Sequence, residues 1–155
     1  MLVQGAGGEG VYGSIYVEEG SAAQSVQTAT VEIIDAFNTA DGANGNANGV
    51  TPAKASNKIT IDNAGEYMVA CQCSFQGGAN VSWEMHGYIN GVKADQLCAH
   101  RKTPTNDVGS MSFVGSATIA AAQDVDIRIS HSGGGDVDFT VIDAQLFVWR
   151  ISGSG

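Results

Sequence analysis

Three cysteines, three histidines and a scatter of aspartates are the residues with chemistry to offer in this chain. Cys71 and Cys73 stand two apart in "ITIDNAGEYMVACQCSF", Ile59 to Phe75, and Cys98 lies far downstream. Their spacing matches neither a Cys-x-x-Cys zinc pair nor a disulfide framework. A thiol turns reactive beside a cation or a helix N-terminus, whereas a thiol in apolar company packs as a small hydrophobe. Residues two apart in a strand share a face, so Tyr67, Val69, Cys71, Cys73 and Phe75 point the same way. Cys71 and Cys73 are therefore expected to be reduced core residues.

His86, His100 and His131 could serve as bases toward a cysteine or pair with an aspartate, yet no Gly-x-Ser-x-Gly elbow and no His-Glu-x-x-His run accompanies them. No enzyme activity and no cofactor is expected. Asp124, Asp126, Asp136 and Asp138 flank one pair of turns, and a hard cation takes several oxygen ligands, which makes them the candidates for calcium. The competing explanation, and the one preferred, is strand alternation in each "DVD", acid outward and valine inward, with no metal. "DGANGNANG" lacks the acidic alternation and distal Glu of an EF-hand loop. His100, Arg101 and Lys102 form the single basic cluster, expected to meet a neighbouring subunit or an acidic surface, with an ion pair inside one subunit as the alternative.

The elements that must hold these residues read as strands. The chain has 155 residues, the size of one domain; its charged fraction is 15 %, below the roughly 25 % of average domains, and it contains 21 glycines. From Lys58 onward the apolar period is two rather than 3.6, and no amphipathic helix intervenes. "SIYV" and "ATVEIIDAF", the latter with a helical turn as its alternative, precede an Asn- and Gly-rich stretch, Asn38 to Asn57, expected to be surface loop. "KITI", "EYMVACQCSF", "VSWEMHGYI", "DQLCAHRK", "GSMSFVGSATIAA", "DVDIRISHS" and "DVDFTVIDAQLFVWRIS" follow, and Asn90-Gly91 suits a type I′ hairpin. The expectation is an all-β, two-sheet antiparallel jelly roll of about eight to ten strands, homotrimeric. Its parts are a flexible N-terminal arm over residues 1–13, the jelly roll over 14–152 and a tail over 153–155.

Two strands are apolar on both sides. Opposite the cysteines lie Met68, Ala70, Gln72 and Ser74, none charged; in the last strand, Ile142, Ala144, Leu146 and Val148 occupy one side and Gln145, Phe147, Trp149 and Ile151 the other. A sandwich buries only one face of each sheet, so a subunit interface is expected at Tyr67, Met68, Ala70, Phe147 and Trp149. The net charge of −9 repels phosphate backbones and anionic membranes. No stretch reaches the roughly 18 apolar residues of a membrane span, and no secretory signal begins the chain. Neither nucleic acid nor a membrane is an expected partner.

Ile59, Gly65, Tyr67, Val69 and Cys71, with the hairpin "YINGV" and the apolar last strand, resemble the signature of the globular head of complement first-component subunit q. The family prefers aromatics where this chain has Ile59, Val69 and Cys71. The resemblance implies a ten-stranded jelly roll in a compact homotrimer, related to the tumour necrosis factor fold. The Gly-rich N-terminal stretch, "AHRK", "DVGSMSFVG" and "RISHSGGGDVDFTV" also resemble small jelly-roll virion proteins of tailed bacteriophages. That likeness implies a trimeric decoration protein, made in the host cytoplasm and residing on the virion. The arm residues Val3, Gln4, Glu9, Val11 and Tyr12 would attach it to the major capsid protein. The alternatives are a receptor- or saccharide-binding head of a tail fibre and a bacterial lectin-like adhesive trimer; the former usually follows a repetitive shaft and the latter needs an export signal.

Overall fold

The computed structural model describes residues 10–105 and 107–152. Two antiparallel sheets face each other. The first runs in the order β10 (Val108–Ile119), β7 (Gly65–Gly77), β12 (Val137–Ser152), β1 (Tyr12–Val17) and β4 (Gly42–Asn44), with β2 (Ala23–Val26) also paired to β12. The second runs β5 (Val50–Ala53), β6 (Lys58–Ile61), β11 (Asp124–His131), β8 (Val81–Ile89) and β9 (Val92–Thr103), with β3 (Glu32–Ile33) against β11. The all-β antiparallel jelly roll expected from the sequence is therefore present. Twelve strands stand among the described residues, the short β2, β3 and β4 lying below what a period-two pattern can reveal.

Alternation builds the core. In β7, Tyr67, Val69, Cys71, Cys73 and Phe75 are all buried, and Phe139, Val141, Leu146 and Val148 of β12 meet them from the neighbouring strand. The β12 register shifts between Val141 and Asp143, a bulge that takes up one residue and lets both halves of the strand keep apolar side chains inward. Phe75 and Phe139 stack with centroids 4.5 Å apart, and Trp83 from the second sheet lies 4.8 Å from Phe139. Each fully buried side chain of this size is worth roughly 1.5–3 kcal/mol. Asn90 and Gly91 have φ values of 50° and 78°, the left-handed pair that a type I′ turn requires between β8 and β9.

Three local expectations change. The body begins earlier than Ser14: Tyr12 opens β1, Val11 is buried, and the Val11 carbonyl accepts the Arg150 N–H at 2.9 Å. Val11 and Tyr12 thus belong to the folded body, Val11 by burial and Tyr12 by pairing with Trp149. Val3, Gln4, Glu9 and the tail at 153–155 lie outside the described residues. "ATVEIIDAF" yields the two-residue β3 and a 3₁₀ turn at Ala36–Asn38 instead of one long strand. The Asn- and Gly-rich stretch holds β4 and β5, tied in by backbone pairing to β1 and β6.

Candidate functional site: the outer face of the first sheet

On the outer face of the first sheet, register sets side chains in rows. Ser116, Met68, Trp149 and Tyr12 form one row across β10, β7, β12 and β1; Val114, Ala70, Phe147 and Ser14 form the next; Ser112, Gln72, Gln145 and Tyr16 form the third. No member of these rows carries a charge. Val114 is 66 % exposed and Trp149 46 %. A shallow depression of about 410 Å³ runs over Ala70, Gln72, Val114 and Phe147. Among the described residues, carboxylates on this face stand toward the ends of the sheet, where Glu66 accepts a hydrogen bond from Thr118 Oγ1 at 2.7 Å and Asp143 accepts the Glu19 N–H.

Four of the five expected interface residues, Met68, Ala70, Phe147 and Trp149, share this face. Tyr67 does not. It is fully buried, and its hydroxyl donates to the Asn63 carbonyl at 2.6 Å. The physical reason is the period of two: Tyr67 and Met68 are consecutive, so one must face the core when the other faces out.

The cysteines of β7 are core residues. Cys71 and Cys73 are 3 % and 1 % exposed, and Cys71 Sγ lies 3.9 Å from Met85 Sδ. Burial pushes the Cys71 thiol well up and the Cys73 thiol up to about 12, which keeps both protonated and unreactive at neutral pH.

The basic cluster is split by the same alternation. Arg101 lies on the side of Leu97 and Thr103 and reaches over Gly109 to Asp107, Nη2 to Oδ2 at 2.5 Å, while His100 and Lys102 point outward. For Arg101 the pair inside one subunit replaces the expected acidic partner elsewhere. The aspartate quartet does not converge. Asp124 is bonded to Lys58 Nζ and Thr60 Oγ1, each at 2.7 Å, and Asp126 accepts from Arg128 Nε at 2.7 Å. Asp136 and Asp138 precede and open β12 in the other sheet. The four are divided between two sheets, and two of them already have cationic partners.

Sequence reasoning missed one constellation. His86, Cys98 and His100 bring one potential ligand atom each to within 4.8 Å of one another on the outer face of the second sheet. His86 is directly opposite Cys98 in the β8–β9 pairing. Desolvation lowers the His86 pKa, and Lys93 acts in the same direction. No local motif announces such a group, because it depends on strand register.

No family model matches the chain, and no curated protein matches it in sequence. Solved structures do match in fold. The chain is similar to Eiger TNF from S. frugiperda (TM-score 0.63, 10 % identity, covering 94 % of this chain and 96 % of that one). It is equally similar to the globular domain of zebrafish complement 1qA protein (TM-score 0.63, 13 % identity, 94 % and 100 % covered). Murine APRIL gives a TM-score of 0.58 at 9 % identity, with 90 % and 99 % covered. The chain is a jelly roll of the TNF and C1q globular-head type.

Proposed function

We propose that this protein is a homotrimeric, non-catalytic structural module whose subunits meet through the outer face of the first sheet. The observation that supports this most is the uncharged patch centred on Val114, Phe147 and Trp149, which a single sandwich leaves in water. The resemblance seen in the sequence supports three-fold assembly. Sedimentation equilibrium at micromolar concentration is expected to give three times the chain mass; a stable monomer would overturn the assignment.

Within this proposal the trimer decorates the capsid of a tailed-phage virion, held on the major capsid protein through the segment before Gly10. The sequence likeness supports that setting. Tyr12 pairs with Trp149, which puts the start of β1 and the end of β12 side by side. Deleting residues 1–9 is expected to leave the trimer intact and abolish binding to undecorated capsids. If the truncated protein still decorates them, attachment lies on the jelly roll; if the full chain binds a cell-surface saccharide and no capsid, a tail-fibre head or adhesive takes the place of decoration.

A further inference from the structure

The opposite sheet presents a separate outer face. On β8 and β9 His86 stands across from Cys98, and His100 follows two residues after Cys98 on the same side. The geometry points to a binding site for a divalent transition-metal ion of the zinc class, with His86, Cys98 and His100 as its three protein ligands. Their donor atoms lie within 4.8 Å of one another. A tetrahedral zinc site, with about 2.0–2.1 Å to nitrogen and about 2.3 Å to sulfur, needs donors roughly 3.3–3.6 Å apart. Closure therefore asks for movements of about 1 Å, within the reach of side-chain torsions on a fixed backbone.

That backbone is positioned by an irregularity. Between the His86–Cys98 and Tyr88–Lys93 pairs, β9 carries Ala94, Asp95, Gln96 and Leu97 opposite Gly87 alone. A Cβ on Gly87 would lie 2.9 Å from Leu97 Cβ, so glycine permits this close approach and with it the register that brings the two ligands together.

The remaining histidine and cysteines show what these groups do when they are purely structural. His131 uses both ring nitrogens, Nε2 facing the Val26 carbonyl at 2.9 Å and Nδ1 accepting the Gly133 N–H at 3.0 Å. Among the described residues, no hydrogen bond engages either nitrogen of His86, and neither is sealed from solvent, so both are open to a ligand. Cys71 and Cys73 are locked in the core; Cys98 is the cysteine that is not. Glu84 Oε1 lies 3.7 Å from His100 Nδ1, an ion-pair distance; drawn in to a hydrogen bond it would orient that imidazole, as carboxylates do behind metal-bound histidines.

The donor set selects the ion. One thiolate and two imidazoles suit zinc-class metals and not calcium or magnesium. Copper sites built on two histidines and a cysteine commonly add a long axial thioether, which Met85, fully buried and turned into the core toward Cys71, does not supply. His100 also lines, with Glu84 and Lys102, a neighbouring groove of about 430 Å³.

Metal-stripped, tag-free full-length protein provides the test. One equivalent of Co2+ is expected to give a near-ultraviolet thiolate-to-cobalt charge-transfer band together with visible bands, both displaced by Zn2+. One equivalent of Zn2+ is expected to slow alkylation of Cys98 at least tenfold in the wild-type chain, a measurement that needs no variant to fold. Cys98→Ser should lose the charge-transfer band, and Glu84→Gln should weaken Zn2+ binding by about 10- to 100-fold. A wild-type cobalt spectrum without the thiolate band, or Cys98 alkylation unchanged by a tenfold excess of Zn2+, overturns the site. Its ligands belong to the sheet opposite the proposed trimer face, so this outcome is independent of the oligomeric state.

Discussion

Trp149 of β12 sits directly opposite Met68 of β7, and both side chains point away from the core. Their row continues to Tyr12, so three large side chains from three strands stand together in a row without charge. If the proposed trimer forms through this face, Trp149→Glu is expected to convert it to monomer, because each subunit would bring a carboxylate into the interface without a partner. Circular dichroism should show the β-sheet unchanged, since Trp149 contributes little to the core. A variant that sediments like the wild type would remove Trp149 from the interface.

Cys71→Ser should destabilise the fold by about 1–3 kcal/mol, the cost of placing a hydroxyl in apolar surroundings without a good acceptor. The oxygen that Cys71 Sγ contacts, the Gln72 carbonyl, is 3.8 Å away, long for a hydroxyl donor. Urea denaturation measures the loss. In the folded wild type, thiol reagents should label Cys98 quickly and Cys71 and Cys73 only at the rate of unfolding.

Gly77 and Trp83 are fitted to each other. A Cβ on Gly77 would lie 2.4 Å from Trp83 Nε1 and 2.9 Å from its Cε2, and Trp83 is fully buried with little freedom to retreat. Gly77→Ala should therefore cost about 1–3 kcal/mol through overpacking, read as a lowered urea midpoint with an unchanged slope.

Two carboxylates make the fold sensitive to acid. At Asp124, burial acts to raise the pKa but is outweighed by hydrogen bonds from Lys58 and Thr60 and by the Lys58 charge, so the net shift is downward. The Gln27 N–H holds Glu32 down, with Thr30 and Gln24 adding to it against burial. A lowered folded-state pKa contributes stability that is complete above the ordinary carboxylate range and is lost as pH falls through the folded value. Asp124→Asn is thus expected to be less stable than wild type at pH 7. The gap should close as the pH drops below about 4. A gap that is constant with pH would show that Asp124 acts through packing rather than charge.

How much of this was legible in advance follows from the range over which each signal acts. Period two in "EYMVACQCSF" and in "DVDFTVIDAQLFVWRIS" is local, so it identified the strands, the inward cysteines and the charge-free face that carries Met68, Ala70, Phe147 and Trp149. Asn90-Gly91 likewise announced its turn, because positive φ is a property of single residues. Strands of two to four residues, such as β3 and β4, are too short to display a period; they exist because β11 and β1 offer them hydrogen-bonding edges. Tertiary structure alone decided which cations meet which acids. Arg101 reaches Asp107 and Lys58 reaches Asp124 across 66 positions of sequence, and each pairing depends on where the chain turns back. The grouping of His86, Cys98 and His100 has the same origin: composition supplied the ligand types, but only the register of β8 against β9, offset around Gly87, placed them within reach of one ion.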